Sequence, residues 1–171
     1  MNEQKFPKIE VETLSGKDLV LPNDAEGEMV LIGVAFVREA QSMLDSWMEY
    51  FEELCQEQEV YELPMIESNF WKIFSGFIDR GMKSGIRDEK HDFVGTHYGD
   101  ASEFKKKLDI KDTDLGYVYL LDEEGHIKFR GKGFADEKGK EEMLKHVKHV
   151  CQLLPPKGGS LPVNSISDLK R

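Results

Sequence analysis

The 26 residues from Met29 to Leu54 constrain the fold more than any other stretch of this chain. Met29 to Phe36 is an unbroken apolar run, and an amphipathic segment follows directly after Val37-Arg38. An apolar run that short suits a strand buried on both faces, in the middle of a mixed sheet. In the segment after it, at 100° per residue, Ala40, Met43, Leu44, Trp47, Phe51, Leu54 and Cys55 share one helical face. Gln41, Ser42, Asp45, Glu49, Glu52 and Glu53 share the opposite one. Open α/β sheets place their chemistry at such a strand-to-helix joint. Here the joint reads Phe36-Val37-Arg38-Glu39-Ala40-Gln41-Ser42, without cysteine, histidine or a glycine loop.

With 171 residues the chain is most economically one domain, expected over 1–154 and followed by a flexible tail over 155–171. A formal net charge of −10 argues against nucleic acid or an anionic membrane surface as partner, since both call for a basic patch. No apolar run approaches the ~18 residues of a membrane span. The opening MNEQKFPKIE shows neither a signal pattern nor an Arg-rich leader. The expected location is the cytoplasm. Cys55 and Cys151 both fall on apolar helix faces, so they are expected as inert core thiols. A disulfide or a redox pair is the alternative.

Taken in order, Phe6–Val11 and Leu19–Leu21 form a small antiparallel hairpin around Ser15-Gly16. After the strand and first helix, Val60–Ile66 reads as a strand whose Pro64 suggests a sheet edge or a strand terminus. Ser68 or Asn69 caps a second helix running to about Met82. Its apolar face includes Trp71, Phe74 and Phe77, which serve either as core or as a partner-docking surface. Asp92–Tyr98 reads as a strand, with Asp100 as the N-cap of a short helix over Ala101–Leu108. Tyr117–Leu121 and His126–Arg130 flank the turn Asp122-Glu123-Glu124-Gly125, a hairpin signal. A last helix spans Glu137 to Leu154, and Pro155-Pro156 ends it.

This order resembles the thioredoxin-like fold, in the branch with an N-terminal hairpin that includes peroxiredoxins and membrane-tethered thiol oxidoreductases. The segment Tyr117-Val-Tyr-Leu-Leu-Asp-Glu-Glu-Gly-His-Ile-Lys-Phe-Arg-Gly131 carries the resemblance most specifically, as that branch's terminal hairpin. The implied fold class is α/β: a central mixed β-sheet flanked by helices, with an N-terminal β-hairpin. The resemblance also says where redox cysteines would stand, at the start of the first helix, where free N–H groups and the helix dipole stabilise a thiolate. Those positions fall near Glu39 and Ser42, and Gly33 to Leu54 contains no cysteine. Leu115-Gly116 occupies the place of the family's cis-proline. Thiol–disulfide exchange at that site therefore lacks its nucleophile, and Ser42 would need an adjacent base. A second resemblance lies in Ala40-Gln41-x-x-x-Asp45-Ser46-Trp47-x-x-x-Phe51, which is similar to the helix motif of the mitochondrial ATP synthase assembly factors. It implies a chaperone-like role toward a membrane subunit.

The expected function is a redox-inactive thioredoxin-fold module without a cofactor or catalytic residues. It would bind a protein or peptide of unknown identity through a crevice formed by Arg38, Glu39, Gln41, Ser42, Leu115 and Gly116. Two alternatives stand beside it: an enzyme using metal or Ser/His chemistry in the same crevice, and a redox protein using Cys55 or Cys151. For metal, His91, Asp92 and His97 offer suitable donors. In a continuous strand, however, the two imidazoles stand about 20 Å apart at ~3.3 Å per residue. Glu142, His146 and His149 share a helix face at joint-coordination spacing but show no fourth ligand. For both sets polar surface is the preferred reading.

Overall fold

The computed structural model describes residues 3–67 and 88–151, with the side chains of 88 and 148–150 excepted. Strand β1 (Ile9–Thr13) pairs antiparallel with β2 (Asp18–Leu21), giving the expected opening hairpin. Strand β3 (Val30–Ala35) runs into a 3-10 turn, Arg38–Ala40, and then helix α1 (Gln41–Leu54). After β4 (Val60–Ile66), the described chain resumes with a 3-10 segment, Asp88–Phe93, before β5 (Gly95–Tyr98). Helix α2 (Ser102–Lys107) leads to the hairpin of β6 (Tyr117–Leu121) and β7 (Ile127–Lys132), and α3 (Glu137–Cys151) follows. The expected second helix, with Trp71, Phe74 and Phe77, lies outside the described residues, as does the expected tail.

The strands form one mixed seven-stranded sheet in the order β2-β1-β5-β4-β3-β6-β7. Central β3 pairs parallel with β4 and antiparallel with β6, which explains its unbroken apolar sequence. Its alternation divides the core into two layers. Leu31 packs with Leu44, Trp47, Met48 and Phe51 of α1 and Met143 and Val147 of α3. Val30, Ile32 and Val34 pack on the opposite side with Phe6, Phe104, Leu108 and Tyr119.

Two expectations need correction. Pro64 does not mark an edge, because β4 lies between β5 and β3. Its missing N–H is tolerated at a handover: pairing with β3 ends at Pro64–Ala35, and pairing with β5 runs from Met65. The strand expected from Asp92 begins only at Gly95, since Asp92 still belongs to the 3-10 segment and binds Ser15 and Lys17 of the first hairpin. The turn between β6 and β7 is built as its sequence implies. One Asp122 carboxylate oxygen accepts from the N–H groups of Glu124 and His126, both at 2.9 Å, while Gly125 takes a φ of +85°.

Candidate functional site

At the end of β3, Val37 is extended and the 3-10 turn Arg38–Ala40 carries the chain into α1. The turn forms because its own N–H groups need acceptors: Ala40 N–H donates to Val37 O at 3.1 Å. Ser42 Oγ then donates to Glu39 O at 3.4 Å, tying the turn to the first residues of the helix. Arg38, Glu39, Gln41 and Ser42 are all exposed, so the start of α1 presents a cation, a carboxylate, an amide and a hydroxyl to solvent.

Leu115-Gly116 meets this turn from the far side of the fold. Gly116 is buried so closely that a Cβ there would stand 3.0 Å from the Ala40 carbonyl oxygen and 2.9 Å from Leu44 Cδ2. Its N–H donates to Met43 Sδ at 3.4 Å, and its carbonyl accepts from Gly133 N–H at 2.9 Å. Half-buried Leu115 packs on the core layer opposite α1. Of the six expected crevice residues, Gly116 is thus brought against the turn that carries exposed Arg38, Glu39, Gln41 and Ser42, while Leu115 turns toward the other core layer. The four polar residues are exposed, and Gly116 contributes fit, not contact surface.

Two further elements border this turn. Gly133 also accepts from Trp47 Nε1 at 2.8 Å, and Ala135 N–H donates to Ser46 Oγ at 2.9 Å. Between these anchored residues Phe134 is 59% exposed, the one large apolar side chain in solvent among the described residues. On the other flank, Gln41 Nε2 donates to Asp45 Oδ1 at 3.0 Å and to Glu62 Oε1 at 2.9 Å. Burial pushes the Glu62 carboxyl above its ordinary range, while the Gln41 hydrogen bond opposes the shift and the Asp45 charge adds to it. Sequence reasoning missed Met43, Glu62 and Phe134 as parts of this site. For Glu62 a signal existed: a carboxylate between Tyr61 and Leu63 in an alternating strand faces the same side as α1.

Of the candidate metal donors, His91, Asp92 and His97 do not converge, and the side chain of His149 lies outside the described residues. His97 Nε2 meets the Asp100 carbonyl at 3.2 Å, and among the described residues His91 and His97 join no cluster of donor atoms. The one cluster found there is Asp122, Glu124 and His126, on the β6–β7 turn, where Asp122 already closes the loop. A groove of about 450 Å³ lies toward the other end of α1, lined by Glu52, Gln56, Glu59, Val60, Lys90 and Phe93. The Lys90–Glu52 ion pair at 2.9 Å lies within that lining.

The two thiols expected to be inert are joined. Cys55 and Cys151 form a disulfide with a Cα–Cα distance of 4.9 Å. Both are buried, and Cys55 caps the end of α1 remote from the crevice, about 20 Å from its first turn at 1.5 Å per residue.

The model of the ATP10 protein family matches residues 3–150. The chain belongs to that family. This agrees with the resemblance carried by the Ala40–Phe51 motif. No curated protein matches the chain by sequence. Among solved structures, yeast Sco1 superposes with a TM-score of 0.58 at 16% identity, covering 85% of this chain and 95% of that one. The exposed lipoprotein thioredoxin of Streptococcus pneumoniae gives 0.54 at 15% identity, covering 84% and 100%. An uncharacterised conserved protein of Geobacillus kaustophilus gives 0.57 at 12%, covering 91% and 85%. At these identities the likeness is one of fold, and the fold is thioredoxin-like.

Proposed function

We propose that this ATP10-family protein is an assembly factor of chaperone-like character. On this reading it binds a protein segment at the crevice between the start of α1 and Leu115-Gly116, and it performs no thiol chemistry there. The observation that carries the reading is the joint itself. The fold keeps the tight approach of the 115–116 loop to the first helix, but Arg38, Glu39, Gln41 and Ser42 occupy the rim where the thioredoxin-like resemblance would have placed thiols. Family membership supports an assembly role, and the assembly-factor motif in α1 supports a membrane subunit of ATP synthase as the client. Half-buried Met43 and exposed Phe134 give the crevice apolar contact, and the four polar side chains give it hydrogen-bonding capacity.

The test pairs activity with binding. Purified protein is expected to show no turnover in insulin-type disulfide reduction and thiol peroxidase assays. Turnover that persists after both cysteines are changed to serine would contradict the reading. Phe134→Asp is expected to weaken client capture from native membranes at least about tenfold, as hot-spot truncation does, without lowering the melting temperature. Capture that is unchanged would remove this crevice from the account.

A further inference from the structure

Helices α1 and α3 lie on the same face of the sheet and run in the same sense. Ser46 and Ala135, Trp47 and Gly139, Tyr50 and Lys140, and finally Cys55 and Cys151 meet in that order. The ties are unevenly spread. Those to the first part of α3 and the turn before it are hydrogen bonds and ring packing: Ser46 Oγ accepts from Ala135 N–H, the Trp47 ring covers Gly139, and Tyr50 Oη donates to Lys140 O at 3.1 Å. From Glu141 onward, the described residues of α3 make no side-chain hydrogen bond to α1. They bury only Met143, Val147 and Cys151, with Leu144 half-buried. Over this stretch, roughly 16 Å of helix at 1.5 Å per residue, the described side chains that tie α3 to α1 are Met143, Leu144 and Val147, together with the disulfide.

The two ends of that bond differ. Cys55 belongs to a finished helix terminus, its N–H donating to Phe51 O at 2.7 Å and its carbonyl accepting from Gln58 N–H at 3.2 Å. Cys151 stands on a helix whose outer face carries Glu141, Glu142 and Lys145. When the bond opens, the α1 side keeps its hydrogen bonds and the α3 side loses its anchor.

We infer that the Cys55–Cys151 disulfide is a redox latch: oxidised, it holds the second half of α3 against α1, and reduced, it releases that half while the sheet stays intact. The step is a two-electron exchange with a dithiol. A thiolate of the reductant attacks one sulfur, the S–S bond breaks through a mixed disulfide, two protein thiols form with two protons, and the reductant closes to its own disulfide. Cys55 is 1% and Cys151 5% exposed, so the attacking thiolate gains access only when the end of α3 frays, and the latch opens from that end.

Amide hydrogen exchange read by mass spectrometry on the full chain, before and after treatment with dithiothreitol, tests the latch. Exchange across 141–151 is expected to rise by about tenfold or more on reduction while β3 and β6 stay protected over the same labelling times, and to recover when glutathione disulfide is added. Cys151→Ser is expected to give the reduced pattern with or without reductant. Equal exchange over 141–151 in both forms would overturn the inference, as would loss of protection in β3 and β6 together with 141–151 on reduction. So would alkylation of both cysteines in unfolded protein that has never been reduced.

Discussion

A methyl group at position 116 would stand 3.0 Å from the backbone oxygen of Ala40. Backbone yields less readily than a side-chain tip, so the loop or the first turn of α1 has to move. Gly116→Ala is therefore expected to cost about 1–3 kcal/mol, read as a lower urea midpoint with an unchanged slope. Glu62 offers a second residue-scale test. Burial raises its carboxyl pKa in the folded state, so between the ordinary carboxylate range and that raised value the folded chain holds more protons than the unfolded one. The contribution of Glu62 is thus most favourable below the unfolded pKa and is lost as pH rises through the folded one. Glu62→Gln is expected to melt higher than the native protein at pH 7 and equally at pH 4. A higher melting temperature for the native protein at pH 7 would mean that the hydrogen bond from Gln41 outweighs burial. The polar face at Arg38–Ser42 could be read from sequence because strand and helix each have a period. The Gly116–Ala40 approach and the Gln41–Glu62 hydrogen bond could not, because each joins segments that only the tertiary fold brings together.

Among the elements, β3, α1 and the β6–β7 hairpin could be read closely. Continuous apolarity, helical periodicity and an Asp-x-x-Gly turn each have one dominant physical interpretation. Pro64 misled because proline excludes only a ladder hydrogen bond, and an interior strand that changes partners at that residue needs none there. The cysteines misled for another reason: a helix face says that a residue is buried but not what it is buried against. Closing a loop between residues 96 apart restricts the unfolded chain, so Cys55→Ser with Cys151→Ser is expected to lower unfolding free energy by about 4–5 kcal/mol. Trp47, which covers Gly131 and Gly139 and donates to Gly133, binds α1 to the segment that leads into α3. Trp47→Ala is expected to cost roughly 3–5 kcal/mol, measured by the same denaturant titration, and to loosen Phe134 with it.

At the scale of the whole molecule, the sheet order and the two core layers set a thioredoxin-like frame, and the chain built on it belongs to the ATP10 family. A cytoplasmic location is proposed from the sequence, whereas disulfides persist mainly in oxidising compartments. Alkylation of the two thiols at the moment of lysis will decide which consideration prevails. The central claim is that the crevice at the start of α1 holds a client segment. Its most direct measurement places a photo-crosslinking amino acid at Ser42 in the native host and identifies what is captured by mass spectrometry. The account predicts a covalent adduct with a membrane subunit of ATP synthase, absent when the same probe is placed at exposed Glu124 on the β6–β7 turn. A probe at Ser42 that captures no such subunit, while the protein remains folded and expressed, would contradict it.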